Sequence, residues 1–97
     1  MIFGLLVKEE AFLDLIEAFD WYEEKKIGLW TVFLDEIEKC YERIKHSPQQ
    51  FPSYHNQRIA LLHRFPYKIV FEIEENTIVV YAVYHHKRDP KTLSLRK

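Results

Sequence analysis

From Arg58 to Pro90 the chain alternates through three runs, RIALLHRF, YKIVFEIE and TIVVYAVYH, broken only at Pro66 and at Glu75-Asn76. Side chains of an extended strand point to opposite faces in turn, so alternation over runs of this length demands a sheet. Breaks this short make successive strands antiparallel neighbours. In the first run, Arg58, Ala60, Leu62 and Arg64 are expected to point one way and Ile59, Leu61, His63 and Phe65 the other. In the second, Tyr67, Ile69, Phe71 and Ile73 share a face opposite Lys68, Val70, Glu72 and Glu74. The run Thr77 to His85 is apolar on both faces, as befits an interior strand covered on both sides.

Such a sheet needs something to cover its apolar face, and the preceding residues supply it. From about Glu9 to Lys26 the period becomes helical, with Phe12, Leu15, Ile16, Phe19 and Tyr22 or Glu23 as the expected buried rows. Glu9 and Glu10 in the first turn and Lys25 and Lys26 in the last complement the helix dipole. Gly28 supplies the stop. A second helix runs from about Leu29 to His46, with Trp30, Phe33, Leu34, Ile37, Cys40, Tyr41 and Ile44 as its apolar stripe, and ends at Ser47-Pro48. So short a connection makes the helices antiparallel neighbours. Ile2 to Val7 reads as a first strand. The expected fold class is α+β, ordered β-α-α-β-β-β, with a helical hairpin on one face of a mainly antiparallel four-stranded sheet.

Ninety-seven residues suffice for one modest core, so residues 1–97 are expected to form a single domain. No apolar run is long enough to span a bilayer, and Met1 to Val7 lacks the flanks of a signal peptide. The lone Cys40 forms no internal disulfide and sits in an apolar stripe, consistent with a cytoplasmic protein and a core role. The net charge of −1 conceals an asymmetry: residues 1–47 carry six Lys/Arg against eleven Asp/Glu, and residues 48–97 carry eight against four. His55, His63, His85 and His86 also fall in the second half, so the sheet is expected to present a basic face to an anion. His63 alternates with core positions and is expected to be a hydrogen-bonded core histidine. His85 and His86 are adjacent on a strand and point apart, which is no chelate; no metal and no cofactor are expected.

Four runs, AFDWYEEKKIGL, FLDEIEKCYERI, ALLHRFPYKIVFEI and VYHHKRDP, resemble in content and order the RelE/ParE superfamily of type II toxin–antitoxin toxins. The two helical runs are generic. Arg64-Phe65-Pro66-Tyr67 followed by His85, Arg88, Asp89 and Pro90 is more specific, and is closest to the ParE-like, plasmid-stabilisation branch.

The resemblance implies a cognate antitoxin as partner and leaves two targets open. A ParE-like toxin binds DNA gyrase and blocks replication, and its target-binding residues here would be Arg58, Arg64, Lys68, His85 and Arg88. A RelE-like toxin is a metal-independent endonuclease that cuts mRNA in the ribosome, and Lys68, His85 and Arg88 would be its catalytic residues. That chemistry needs a base, an acid and cations around one phosphate. A third reading is a degenerate member that keeps the fold without toxicity. The sequence pI near 6.5 weighs against the ribosome, where neutralising phosphate supplies most of the affinity. A homodimer is a further option, with Trp21 and Trp30 the first residues to suspect at its interface.

Overall fold

The computed structural model describes residues 3–86. Strand β1 (Gly4–Val7) leads into helix α1 (Glu9–Lys25), and helix α2 (Leu29–His46) follows after three residues. A single 3₁₀ turn, Pro48–Gln50, then opens onto β2 (Ser53–Tyr54), β3 (Gln57–Leu61), β4 (Tyr67–Glu74) and β5 (Thr77–His85). The strands form one sheet in the order β1-β5-β4-β3-β2. Strand β1 pairs parallel with β5, from Gly4 opposite Thr77 to Val7 opposite Val80, and every other pairing is antiparallel. Gly28 turns α1 into α2 at φ 89°, a left-handed conformation that only glycine adopts without strain.

The expected four strands are five. The added β2 is two residues long, and it closes on β3 through His55 and Asn56, both at positive φ. Two consecutive left-handed residues make the type I′ turn whose twist matches a hairpin. The sequence HN hides this turn because it lacks glycine, though asparagine tolerates the conformation.

Strand β3 also stops at Leu61 rather than running to Phe65. Pro66 has no N–H to donate to a ladder. The Leu62 N–H instead bonds the Tyr67 carbonyl at 3.0 Å, which closes a bend over residues 63–66. Glu36 of α2 fastens that bend by accepting the Arg64 backbone N–H at 3.1 Å. Alternation therefore fails beyond Leu62. Phe65 folds back onto the helix side, and His63, expected in the core, is exposed.

The main core lies between the helices and one face of the sheet. It contains Phe33, Ile37, Cys40 and Ile44 of α2 with Ala60, Ile69, Phe71, Ile78, Val80 and Val83 of the sheet. An aromatic cluster closes it at the hairpin end. There Phe33 is the hub, with ring centroids 5.1 Å from Tyr22, 5.1 Å from Phe65 and 5.0 Å from Tyr67.

Helix α1 buries only part of the expected row: Tyr22 is buried and Leu15 packs partly buried against the core. Its buried residues are Ala11, Asp14, Ala18 and Tyr22, whereas Phe12, Ile16 and Phe19 are 56%, 45% and 40% exposed. Moving from positions 12 and 19 to positions 11 and 18 is a one-residue step, a turn of about 100° around the axis. Small side chains explain the choice: Ala11 and Ala18 let the backbone of α1 approach β5 closely, which rings at those positions would prevent.

Strand β5 carries a bulge. Val70 pairs with Ala82 and Phe71 with Val80, which leaves Tyr81 as the extra residue. An inserted residue reverses the parity of everything after it. Ile78 and Val80 face the helices before the bulge, and Val83 faces them after it. Val70, Ala82 and Tyr84 form a second fully buried cluster on the opposite face.

The β4–β5 turn strains one residue. Glu75 sits at φ 56° between the closing pair Glu74 and Thr77, a place where this two-residue turn prefers glycine. Replacing Glu75 by glycine relieves the steric cost, so Glu75→Gly is expected to raise stability by about 0.5–1 kcal/mol. Thermal melting by circular dichroism checks this, and an unchanged or lower midpoint would contradict it.

Candidate functional site

His85 stands at the end of β5, opposite Tyr67 on β4, with the two rings edge to face at a centroid distance of 5.4 Å. Because the bulge has reversed the parity of the strand, this pair faces the helices. His85 and Tyr67 line a cavity of about 300 Å³ together with Asp14, Glu17, Ala18, Trp21 and Val83. Its floor is set by a strand end. Strand β1 pairs with β5 only as far as Val80, so the edge of β5 beyond that point meets α1 rather than another strand. Asp14 reaches across from α1, and its Oδ2 accepts the Val83 backbone N–H at 2.9 Å. Only 6% of Asp14 is exposed.

Lys68 pairs with Tyr84, and both lie on the face of the sheet away from the helices. The sheet therefore separates Lys68 from His85. Arg58 is half-buried, and its guanidinium donates to the carbonyls of Gln49 at 3.2 Å and Phe51 at 2.8 Å, fastening the α2–β3 connection. Arg64 is exposed in the bend between β3 and β4. Arg88 lies outside the described residues. Among the described residues the cations do not gather on one face, and the sheet face beside Lys68 is chiefly apolar, with Val70, Val79, Ala82 and Tyr84 buried there. Three features keep the described cations apart: β5 is apolar on both sides, Arg58 is turned to backbone carbonyls, and Arg64 has left the strand; five of the eight Lys/Arg of residues 48–97 lie outside the described residues.

Two further titratable groups of the core are held protonated. Burial pushes the Cys40 thiol up to about 11, and burial together with Tyr67 pushes the Tyr22 phenol to about 12. Neither is an activated nucleophile at neutral pH. Among the described residues no three His, Cys, Asp or Glu side chains are grouped to hold a metal ion. No helix among them is long and apolar enough to cross a membrane.

Two features escaped the sequence. The acidic cavity residues Asp14 and Glu17 looked like an ordinary solvated helix face, and Trp21 was expected at an interface rather than in a cavity wall. The signal was Asp14 lying between Ala11 and Ala18 on a row of small residues, a row that suits close approach to a strand. The second is the outward side of α1, where Phe12, Leu13, Ile16 and Phe19 are each at least 40% exposed. Of the two tryptophans, Trp21 is 52% exposed, while Trp30 is half-buried between Phe19 and Phe33.

The fold has solved counterparts. The chromosomal ParDE toxin–antitoxin system of Pseudomonas aeruginosa contains a chain that superposes with a TM-score of 0.77 at 18% identity, covering 87% of this chain and 96% of that one. The toxin–antitoxin complex RelBE2 of Mycobacterium tuberculosis contains another, with a TM-score of 0.57 at 14% identity, covering 88% and 99%. At such identities the likeness is one of fold. A search of curated proteins finds no match. The sequence itself matches a family across residues 5–90, the ParE toxin of the type II toxin–antitoxin system parDE. That span takes in β1 from Leu5 onward, both helices, the whole meander and the His-His-Lys-Arg-Asp-Pro end, so this chain belongs to the ParE toxin family of type II toxin–antitoxin systems.

Proposed function

We propose that this chain is a single-domain cytoplasmic toxin that arrests growth by gripping a protein target, DNA gyrase in the ParE-like reading, and that a cognate antitoxin neutralises it. The observation that carries gripping over cutting is the division of Lys68 from His85 by the sheet. Cleavage by a 2′-hydroxyl needs base, acid and cations around one phosphate. His85 instead shares its cavity with Asp14 and Glu17, and carboxylates repel a phosphate. Target contact is assigned to the exposed or partly exposed cations Arg64 and Lys68, with His85 and the family position Arg88. Arg58 contributes by holding the loop before β3.

An antitoxin partner is supported by the two solved counterparts, which come from a ParDE system and a RelBE2 complex. The exposed apolar side of α1 is the surface it would cover, because a row of aromatic and aliphatic residues in water is the usual mark of an interface.

Induced expression alone, and then together with any small reading frame that adjoins its gene, tests the whole proposal. Growth arrest relieved by the neighbour is expected, and no arrest would favour a degenerate member. Purified protein is expected to inhibit gyrase supercoiling. Supercoiling untouched at high molar excess rejects gyrase, and translation-dependent mRNA loss would point to the nuclease instead.

A further inference from the structure

We infer that Glu36 is a positioning residue for target contact: its carboxylate holds the bend between β3 and β4 in the shape that presents Arg64. The inference rests on the reading of Arg64 as a target-contact residue. Nothing in α2 itself calls for an acid here. Glu36 lies in the middle of the helix, too far from its N-terminus to offset the dipole. It also stands outside the ion pairs along that helix, Asp35 with Lys39 and Glu42 with Lys45. Its Oε1 instead accepts the Arg64 backbone N–H at 3.1 Å, across 28 residues of chain.

The bond answers a need that Pro66 creates. Proline cannot donate to a ladder, so β3 stops at Leu61 and Arg64 stands outside the sheet. Its N–H takes an acceptor from the helix. Around it the bend is tied from several sides. The Leu62 N–H donates to the Tyr67 carbonyl at 3.0 Å, and the Tyr67 N–H to the Phe65 carbonyl at 2.8 Å. The His86 N–H donates to the Pro66 carbonyl at 2.9 Å, which joins the bend to the end of β5. The Phe65 ring packs on Tyr22 and Phe33, with centroids 5.3 Å and 5.1 Å away.

A backbone held in this way still leaves the side chains of His63 and Arg64 exposed. A binding group on a fixed backbone gives up less freedom when it meets its target than one on a mobile loop. Glu36 bonds the backbone of Arg64 and forms no ion pair with its guanidinium, so it fixes the base of that side chain without claiming its charge.

Amide hydrogen exchange reads the local role. In Glu36→Ala the Arg64 amide is expected to exchange about tenfold faster, while that of Val70, within the β4–β5 ladder, is unchanged. Growth arrest reads the functional role, as the intracellular level of protein that halves the growth rate. That level is expected to rise about fivefold in Glu36→Ala. Glu36→Gln keeps an oxygen that accepts the same N–H, and is expected to recover most of the loss. In an Arg64→Ala background the Glu36→Ala change is expected to add nothing, because positioning acts only through the residue positioned.

An equal loss in both backgrounds would assign Glu36 to stability alone and overturn the inference. So would a gain of activity in Glu36→Ala, the sign expected of an acid that merely opposes the Arg64 charge. An Arg64 amide that exchanges as before also overturns it. If the unsubstituted chain fails to arrest growth, the toxin reading falls and this role falls with it. Arrest that is indifferent to Glu36→Ala or to Arg64→Ala overturns the role alone, so the two failures are distinguishable.

Discussion

Phe33→Ala is expected to destabilise the protein by about 4 kcal/mol, the upper range for emptying a buried phenylalanine site. Phe33 is fully buried, and its ring touches Tyr22, Trp30, Phe65 and Tyr67. Its neighbours come from α1, α2, the β3–β4 bend and β4, so no single element can move inward to refill the space. Each edge-to-face contact adds about 0.5–1.5 kcal/mol beyond area burial, which the truncation also removes. A domain of this size has only about 5–15 kcal/mol in hand, so the melting midpoint is expected to fall by on the order of 20 °C. Phe33→Leu is the control, since it retains most of the volume and is expected to lose under about 1.5 kcal/mol. Denaturant melts of the two variants measure the difference. Equal losses would mean that the ring contacts contribute little and that the hub is not Phe33.

Asp14→Ala is expected to cost about 2–3 kcal/mol, for a different reason. The substitution removes the acceptor of the Val83 N–H at a buried place where no strand stands to replace it. An orphaned buried donor costs about 1–3 kcal/mol, and bonds to carboxylates lie toward the top of that range. Asp14→Asn keeps an acceptor oxygen of the same reach and is expected to retain more than half of the stability. Hydrogen exchange gives the local test. In Asp14→Ala the Val83 amide is expected to lose protection by at least tenfold relative to Val70, which stays within the β4–β5 ladder. Uniform loss across both residues would show that Asp14 acts on global stability rather than on the edge of β5.

These two residues also mark the limits of sequence reading. Phe33 was legible: it sits in a stripe at spacings of three and four along α2, and the buried set Phe33, Ile37, Cys40 and Ile44 follows that stripe. The helix boundaries, the antiparallel meander and the interior character of β5 were legible for the same reason, because each rests on a local period. Asp14 was not legible as a core residue. Burial on α1 was decided by how near the helix axis comes to β5, and that distance depends on both partners. Hydrophobicity alone chose Phe12, Ile16 and Phe19, which in the fold remain at the surface.

The site divides along the same line. Sequence by itself placed the candidate residues Arg58, Arg64, Lys68 and His85 in or beside antiparallel strands of an α+β protein. It also carried the family, through the meander and the residues that end it. Only the tertiary structure decided which of them meet. One extra residue at Tyr81 reverses the facing of β5, so His85 turns toward Asp14, Glu17 and Trp21 and away from Lys68. The physical reason is that side-chain direction in a strand has a period of two, and a bulge is a long-range property of pairing that no local pattern along β5 announces.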